Sequence, residues 1–265
     1  MRIFGLYFSG TGNTKWVSEQ VQEKLSHKHE VEVISIEGLS VESAHKEMKK
    51  ADLFMLLYPA YGNDMPEILS NYLNELVKWG PLEDLGVISI VVPALYAADG
   101  VLAGNEQYNQ LKMNQLGGYH VFMSCNFNTP IPGFNIASDK KQNKLLGEAE
   151  KKKEQIVRDI NYKSFSFEKT GNFHRFLGKL ENKPNKKAMG KYDVKINHSL
   201  CIKCGKCIKL CPTQNLEFQS DELTVKGKCT ICLRCINACP SCAIRIFSAK
   251  GKRPYKQYKG PMIKI

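Results

Sequence analysis

The stretch Ile3–Thr14, IFGLYFSGTGNT, decides the architecture of this chain. Its first half, Ile3–Phe8, is an apolar run of strand length. Its second half, Ser9-Gly10-Thr11-Gly12-Asn13-Thr14, is a turn dense in glycine and hydroxyl groups, and Asn13–Leu25 then carries helical spacing of apolar residues. A strand that enters a helix through so short a turn is the first unit of an alternating β/α chain. The turn is not a Walker A loop, because no Gly-Lys-Ser/Thr follows at the required spacing. It also misses the G-x-G-x-x-G dinucleotide pattern, since Lys15 stands where the third glycine belongs. What remains is three hydroxyls, on Ser9, Thr11 and Thr14, beside the free N–H groups of a first helical turn. Together they make a cage for a phosphate dianion, favoured further by the helix dipole. The ordinary reading of such residues is a helix cap, but a turn this rich in Gly, Ser and Thr favours phosphate.

The same alternation continues outward from this turn. Val31–Ile36 reads as a β-branched strand, Val41–Lys50 as a helix and Leu53–Tyr58 as a buried strand. Pro66–Lys78 reads as a helix opened by proline, and Val87–Val92 is the most hydrophobic strand. Gly100–Met113 is expected to be a helix, Tyr119–Cys125 a fifth strand and Lys140–Ile160 a long charged helix. Five βα units with short connections predict an α/β fold, with a doubly wound parallel sheet covered by helices on both faces.

The chain has 265 residues, of which 43% are hydrophobic, so it can bury a core and has room for two domains. The longest mostly apolar runs, Leu53–Tyr61 and Val87–Ala98, fall short of the roughly 18 residues that a membrane helix needs. The N-terminus lacks the layout of a signal peptide, which predicts a cytoplasmic protein. Residues 1–160 carry a net charge of −4 and residues 161–265 a net charge of +16. No nucleic-acid recognition motif accompanies that basic half.

Asn161–His198 breaks the alternation and reads as a linker with one short helix around His174–Leu180. An internal repeat follows. Cys201-Ile-Lys-Cys204-Gly-Lys-Cys207-Ile-Lys-Leu-Cys211-Pro212 matches Cys229-Thr-Ile-Cys232-Leu-Arg-Cys235-Ile-Asn-Ala-Cys239-Pro240, every cysteine offset by 28 residues. Each copy reads C-x2-C-x2-C-x3-C-P. Three cysteines at this spacing curl around one centre, and the fourth lies one helical turn later, pointing away. Zinc sites usually show two separated C-x2-C hooks per metal instead. Over about residues 195–247 the sequence resembles the bacterial two-cluster ferredoxins. The resemblance implies two [4Fe–4S] clusters with crossed ligation. Cys201, Cys204, Cys207 and Cys239 would hold the first, and Cys229, Cys232, Cys235 and Cys211 the second. Oxidised cubanes carry about −2 each, which the lysines offset while steering acidic partners. Cys125, and Cys242 as a ninth cysteine of the module, read as small buried residues.

Residues 1–160, with their turn and five βα units, resemble the flavodoxins. That resemblance implies FMN bound at the ends of the first, third and fourth strands. Its phosphate would lie in Ser9, Gly10, Thr11, Gly12, Asn13 and Thr14. Its ring would lie against Pro59, Ala60, Tyr61 and Gly62 and, in a looser match, Pro93, Ala94, Leu95 and Tyr96. Tyr61 would stack on the ring, and Gly62 would let a backbone carbonyl turn to the flavin N5–H. Asn126–Asn135 either covers the flavin or bridges to the last helix. The whole arrangement is similar to the ferredoxin–flavodoxin fusion proteins of anaerobic microbes. It divides into a flavodoxin-like domain at 1–160, a linker at 161–198, a two-cluster ferredoxin domain at 199–247 and a basic tail at 248–265.

Two redox readings follow, with a third outside redox chemistry. The first is an electron carrier that relays single electrons between the clusters, FMN and partner redox proteins, without a catalytic residue of its own. The second is a reductase of a small quinone-like acceptor fed by the clusters. The third is a zinc module that binds nucleic acid, and the cysteine spacing disfavours it. The six histidines show no ligand spacing.

Overall fold

The computed structural model describes residues 1–61, 64–94, 100–127, 135–168, 193–246 and 255–261. Its N-terminal half runs β1 (Arg2–Tyr7), α1 (Asn13–Leu25), β2 (Glu30–Ser35), α2 (Val41–Met48), β3 (Leu53–Pro59) and α3 (Glu67–Val77). It continues through β4 (Gly86–Val92), α4 (Asn105–Gln110), β5 (Asn114–His120) and α5 (Asp139–Tyr162). The strands form one parallel sheet in the order β2-β1-β3-β4-β5. This is the flavodoxin-like order, which reverses between β1 and β3.

Period-two alternation sends each strand's side chains to two cores. Phe4, Leu6, Phe54, Leu56 and Tyr58 pack under α2, α3 and α4 with Met48, Leu69, Leu73 and Tyr108. Ile3, Met55, Leu57, Ile88 and Ile90 pack under α1 and α5 with Val17, Val21, Ile156 and Ile160. These side chains are nearly all fully buried, and each contributes about 1.5–3 kcal/mol relative to exposure.

Two expectations need correction. The fifth strand is Asn114–His120, not Tyr119–Cys125, and the helix expected over Gly100–Met113 is a 3-10 turn at Gly100–Leu102 followed by α4. Gly117 and Gly118 look like a turn in sequence. In the fold they are edge-strand residues under close contact. A Cβ on Gly117 would stand 2.9 Å from the Ser166 carbonyl, and one on Gly118 would stand 2.6 Å from Val101. Residues after α5 return along this edge, where Phe167 bridges Gly118 and the Glu168 N–H donates to the Gly118 carbonyl.

The cysteine-rich half has two small antiparallel ladders, β6 (Lys195–Ile196) with β9 (Ile244–Arg245) and β7 (Leu216–Gln219) with β8 (Glu222–Val225). β6 falls in the expected linker yet pairs inside this unit. The helix expected near His174 lies outside the described residues. The two repeats share a backbone: Lys203 and Ile231 both have φ 54, and Gly205 and Leu233 have φ 70 and φ 64. A leucine in this left-handed region costs about 1–2 kcal/mol. At 5% exposure, the burial of Leu233 offsets that cost.

Candidate functional site

The carboxyl ends of β1, β3 and β4 meet where the strand order reverses, and the loops after them line a cavity of about 200 Å³. Ser9, Gly10, Thr11, Asn13 and Thr14 form one wall, Pro59, Ala60 and Tyr61 a second, and Pro93 and Ala94 a third. Gly62, Leu95 and Tyr96 lie outside the described residues. Gly12 stands behind the wall. It heads α1 at φ 101, a conformation that suits glycine, and its N–H donates to Ser9 Oγ at 3.2 Å. Among the described residues no side chain caps α1, which leaves N–H groups of its first turn for a ligand.

Thr14 Oγ1 is buried here with no hydrogen-bond partner among the described residues. An orphaned hydroxyl inside a protein costs about 1–3 kcal/mol. A phosphate oxygen accepting from it and from the uncapped helix start would remove that cost, so the residues present fit a phosphate-bearing cofactor.

Sequence reading left the segment after β5 undecided and missed the remaining wall. Ser124, Cys125, Asn126 and Phe127 border the cavity. Asn126 Nδ2 donates to Thr11 Oγ1 at 2.9 Å, and Asn13 Nδ2 donates to the Ser124 carbonyl at 3.0 Å. Burial pushes the Cys125 thiol up, as suits a small hydrophobe. The last wall comes from the cysteine-rich half, from Ile231 and Leu233 in the second repeat.

Arg234 fastens that wall. Its Nε donates to the Gly10 carbonyl at 2.9 Å and one terminal nitrogen to the Ser9 carbonyl at 2.6 Å. The guanidinium also forms a two-point pair with the Glu37 carboxylate, one contact at 2.7 Å, and lies 5.7 Å from the Phe8 ring centre. Burial alone would lower the pKa of Arg234, but the hydrogen bond and charge of Glu37 outweigh it and the net shift is upward. Asn237 Nδ2 adds a bond to the Asn126 carbonyl at 2.9 Å. The two halves come so close that a Cβ on Gly10 would stand 2.5 Å from the Cys232 carbonyl and 2.8 Å from the Tyr61 hydroxyl. That hydroxyl is buried without a partner among the described residues, and burial, then the Cys232 charge, raises its pKa well above the ordinary phenol value.

The tail crosses the same seam. Tyr258 donates from its hydroxyl to Asn13 Oδ1 at 2.5 Å, and its N–H donates to Asn237 Oδ1 at 2.7 Å. Gln257 Nε2 reaches the Cys239 carbonyl at 2.6 Å.

The repeat cysteines stand around two further cavities. One is bordered by Cys201, Cys204, Cys207 and Cys239, the other by Cys211, Cys229, Cys232 and Cys235. Among the described residues, no three His, Cys, Asp or Glu side chains gather around one metal ion. A lone zinc would need its sulfurs about 3.8 Å apart, given Zn–S bonds of about 2.3 Å. The four thiols of each set border one cavity, as the four corner ligands of a cluster would. Backbone N–H groups point at the sulfurs. Asn215 donates to Cys211 Sγ at 3.2 Å, Ile231 to Cys229 Sγ at 3.4 Å and Ala243 to Cys239 Sγ at 3.3 Å. Burial pushes the Cys207 and Cys232 thiols up to about 11, so iron must displace a proton from each. Cys242 is buried apart from both cavities, with Sγ 3.9 Å from the Tyr255 carbonyl.

Residues 193–240 match the family model of the 4Fe–4S dicluster domain. The chain is similar in structure to a flavodoxin from the domain Archaea, at 16% identity and a TM-score of 0.39, covering 60% of this chain and 99% of that one. A flavodoxin of Streptococcus pneumonia TIGR4 matches at 13% identity and 0.44, covering 62% and 99%. The two-electron reduced flavodoxin of Megasphaera elsdenii matches at 18% and 0.39, covering 56% and 97%. At these values the likeness adds nothing to what the strand order itself establishes. No curated protein matches the chain in sequence. Among the described residues, no helix is long and apolar enough to cross a membrane. The chain joins a doubly wound domain of flavodoxin-like strand order to a 4Fe–4S dicluster domain, the arrangement of a flavodoxin–ferredoxin fusion.

Proposed function

We propose that this protein is an electron carrier that holds FMN in the switch-point cavity and two [4Fe–4S] clusters in the two cysteine-lined cavities. It would relay single electrons among them and to partner redox proteins. One observation carries the reading: Ile231 and Leu233 border both the switch-point cavity and the cavity of Cys211, Cys229, Cys232 and Cys235. Two cofactor sites that share wall residues are placed for rapid electron exchange. When bound, the clusters pass one electron at a time and FMN accepts one or two.

The chain's own residues bind, orient and exclude water. Ser9, Thr11, Thr14 and the start of α1 hold the phosphate. Ile231, Leu233 and Phe127 keep water from one side of the cavity, and Arg234 fixes the spacing between the halves. The crossed cysteine sets hold the clusters, the second against the flavodoxin-like domain and the first away from it. Covalent tethering keeps the two halves at high effective concentration. The small-acceptor reading is weakened by the same apolar wall, which occupies space a substrate would need.

Anaerobic purification tests the proposal. About eight iron and eight sulfide per chain, with one FMN, are expected. Cys207→Ser should damage the first cluster and Cys211→Ser the second, each followed by EPR. Loss of the same cluster in both variants would overturn the crossed ligation. A folded protein that takes up neither iron nor FMN on anaerobic reconstitution would overturn the whole reading.

A further inference from the structure

The two repeats have the same sequence spacing and the same loop backbone, yet only one is covered. In the second repeat Thr230 is 7% exposed, whereas its counterpart in the first, Ile202, is 63% exposed. Cys232 is buried and its counterpart Cys204 is exposed. Arg234 and Asn237, which hold the second repeat against the flavodoxin-like domain, correspond to Lys206 and Lys209, both exposed. Neither lysine has an ion-pair partner among the described residues. The first repeat therefore presents the loop backbone of the docked one with different side chains: exposed Ile202 beside a thiol, Lys203 and Gly205 in place of Ile231 and Leu233, and two cations on the flank.

We propose that this face, built from Ile202, Cys204, Lys206 and Lys209, is the docking surface for an acidic redox-carrier protein. That carrier would seat a carboxylate on Lys206 much as Glu37 seats on Arg234. The inference rests on the proposed cluster ligation and names the partner's chemistry and its place of entry. Charge complementarity supports it: residues 161–265 carry a net +16. The internal interface supports it in one respect, because Arg234, the counterpart of Lys206, already holds a carboxylate across a seam. A second copy of this chain is a poor occupant, since its own Glu37 is taken by its own Arg234. The electron would then enter or leave through the first cluster and reach the flavin through the second. Each step moves one electron between carriers and needs no other reactant.

The test uses the loaded full-length protein and, as probe, a reduced acidic two-[4Fe–4S] ferredoxin. Stopped-flow traces at several salt concentrations give the bimolecular rate constant. The variants are Lys206→Glu with Lys209→Glu, and Lys140→Glu with Lys144→Glu on α5 as a charge-matched control. The first pair should lower the rate at low salt by about tenfold or more and flatten its salt dependence. The control pair should change it less than twofold. Iron, FMN and light-driven transfer within the molecule, started by a neutral deazaflavin, should stay at wild-type level in both. Unchanged exchange in the first pair, or an equal fall in the control, overturns the docking proposal while leaving the internal relay intact. Absence of clusters or of internal transfer in the wild type overturns the relay itself.

Discussion

Replacing Arg234 by alanine should uncouple the two halves. The side chain makes hydrogen bonds to the Ser9 and Gly10 carbonyls and a two-point pair to Glu37. Hydrogen bonds to charged groups contribute about 1.5–3 kcal/mol each when dry. Here the arginine side chain is 22% and the glutamate 29% exposed, so water shares the load. Contact with Phe8 adds about 0.5–1 kcal/mol. A combined loss of about 3 kcal/mol is reasonable, which is a shift of about 150-fold between docked and undocked forms. The assay is flash reduction of the clusters followed at the flavin absorbance, with hydrogen exchange over Ser9–Gly12 and Ile231–Leu233. We expect slower cluster-to-flavin transfer and faster exchange in both segments, with iron content unchanged. Arg234→Lys should rescue only part, since an ammonium lacks the planar fork. Transfer within twofold of wild type together with unaltered exchange would refute the reasoning.

Three further outcomes are expected. Thr14→Ala should weaken FMN binding about tenfold in a fluorescence titration. It should leave the melting temperature of the flavin-free protein unchanged or slightly higher, because the hydroxyl has no partner among the described residues. His120 gives a pH signature. Burial first and the Lys152 charge second lower its pKa to about 4, while the adjacent Glu168 is paired with Lys152. The unfolded chain therefore binds the extra proton between about pH 6.5 and 4, so stability falls as pH drops through that window, by up to about 3 kcal/mol. His120→Gln should flatten urea-melt stability against pH there, and an unchanged slope would assign it elsewhere. The cysteine variants above complete the set, and matched EPR losses in Cys207→Ser and Cys211→Ser are the result that would refute crossed ligation.

The sheet was legible because β3 and β4 are continuous apolar runs and the turn at Ser9–Thr14 admits few readings. The fifth strand was not, because Gly117 and Gly118 serve packing against Val101 and Ser166, contacts that no local pattern announces. The cysteine repeat was legible from its spacing, and its two sets border the two cavities. The wall at Ile231, Leu233 and Arg234 was not, since the residues between motif cysteines carry no spacing rule. A signal did exist in the repeat itself. Where the first copy has Lys203, Gly205 and Lys209, the second has Ile231, Leu233 and Asn237, an exchange of solvent-facing residues for contact-forming ones. Leucine in a left-handed loop position where its twin has glycine is the sharpest part of that signal.

The tail that reaches Asn13 through Tyr258 and the Cys239 carbonyl through Gln257 is a clasp between distant parts of the chain. Tyr258 and Asn13 are 245 positions apart in sequence. The entropy of closing a loop grows only slowly with its length, each doubling adding about 0.6 kcal/mol, so a clasp of this reach costs little more than a much shorter one.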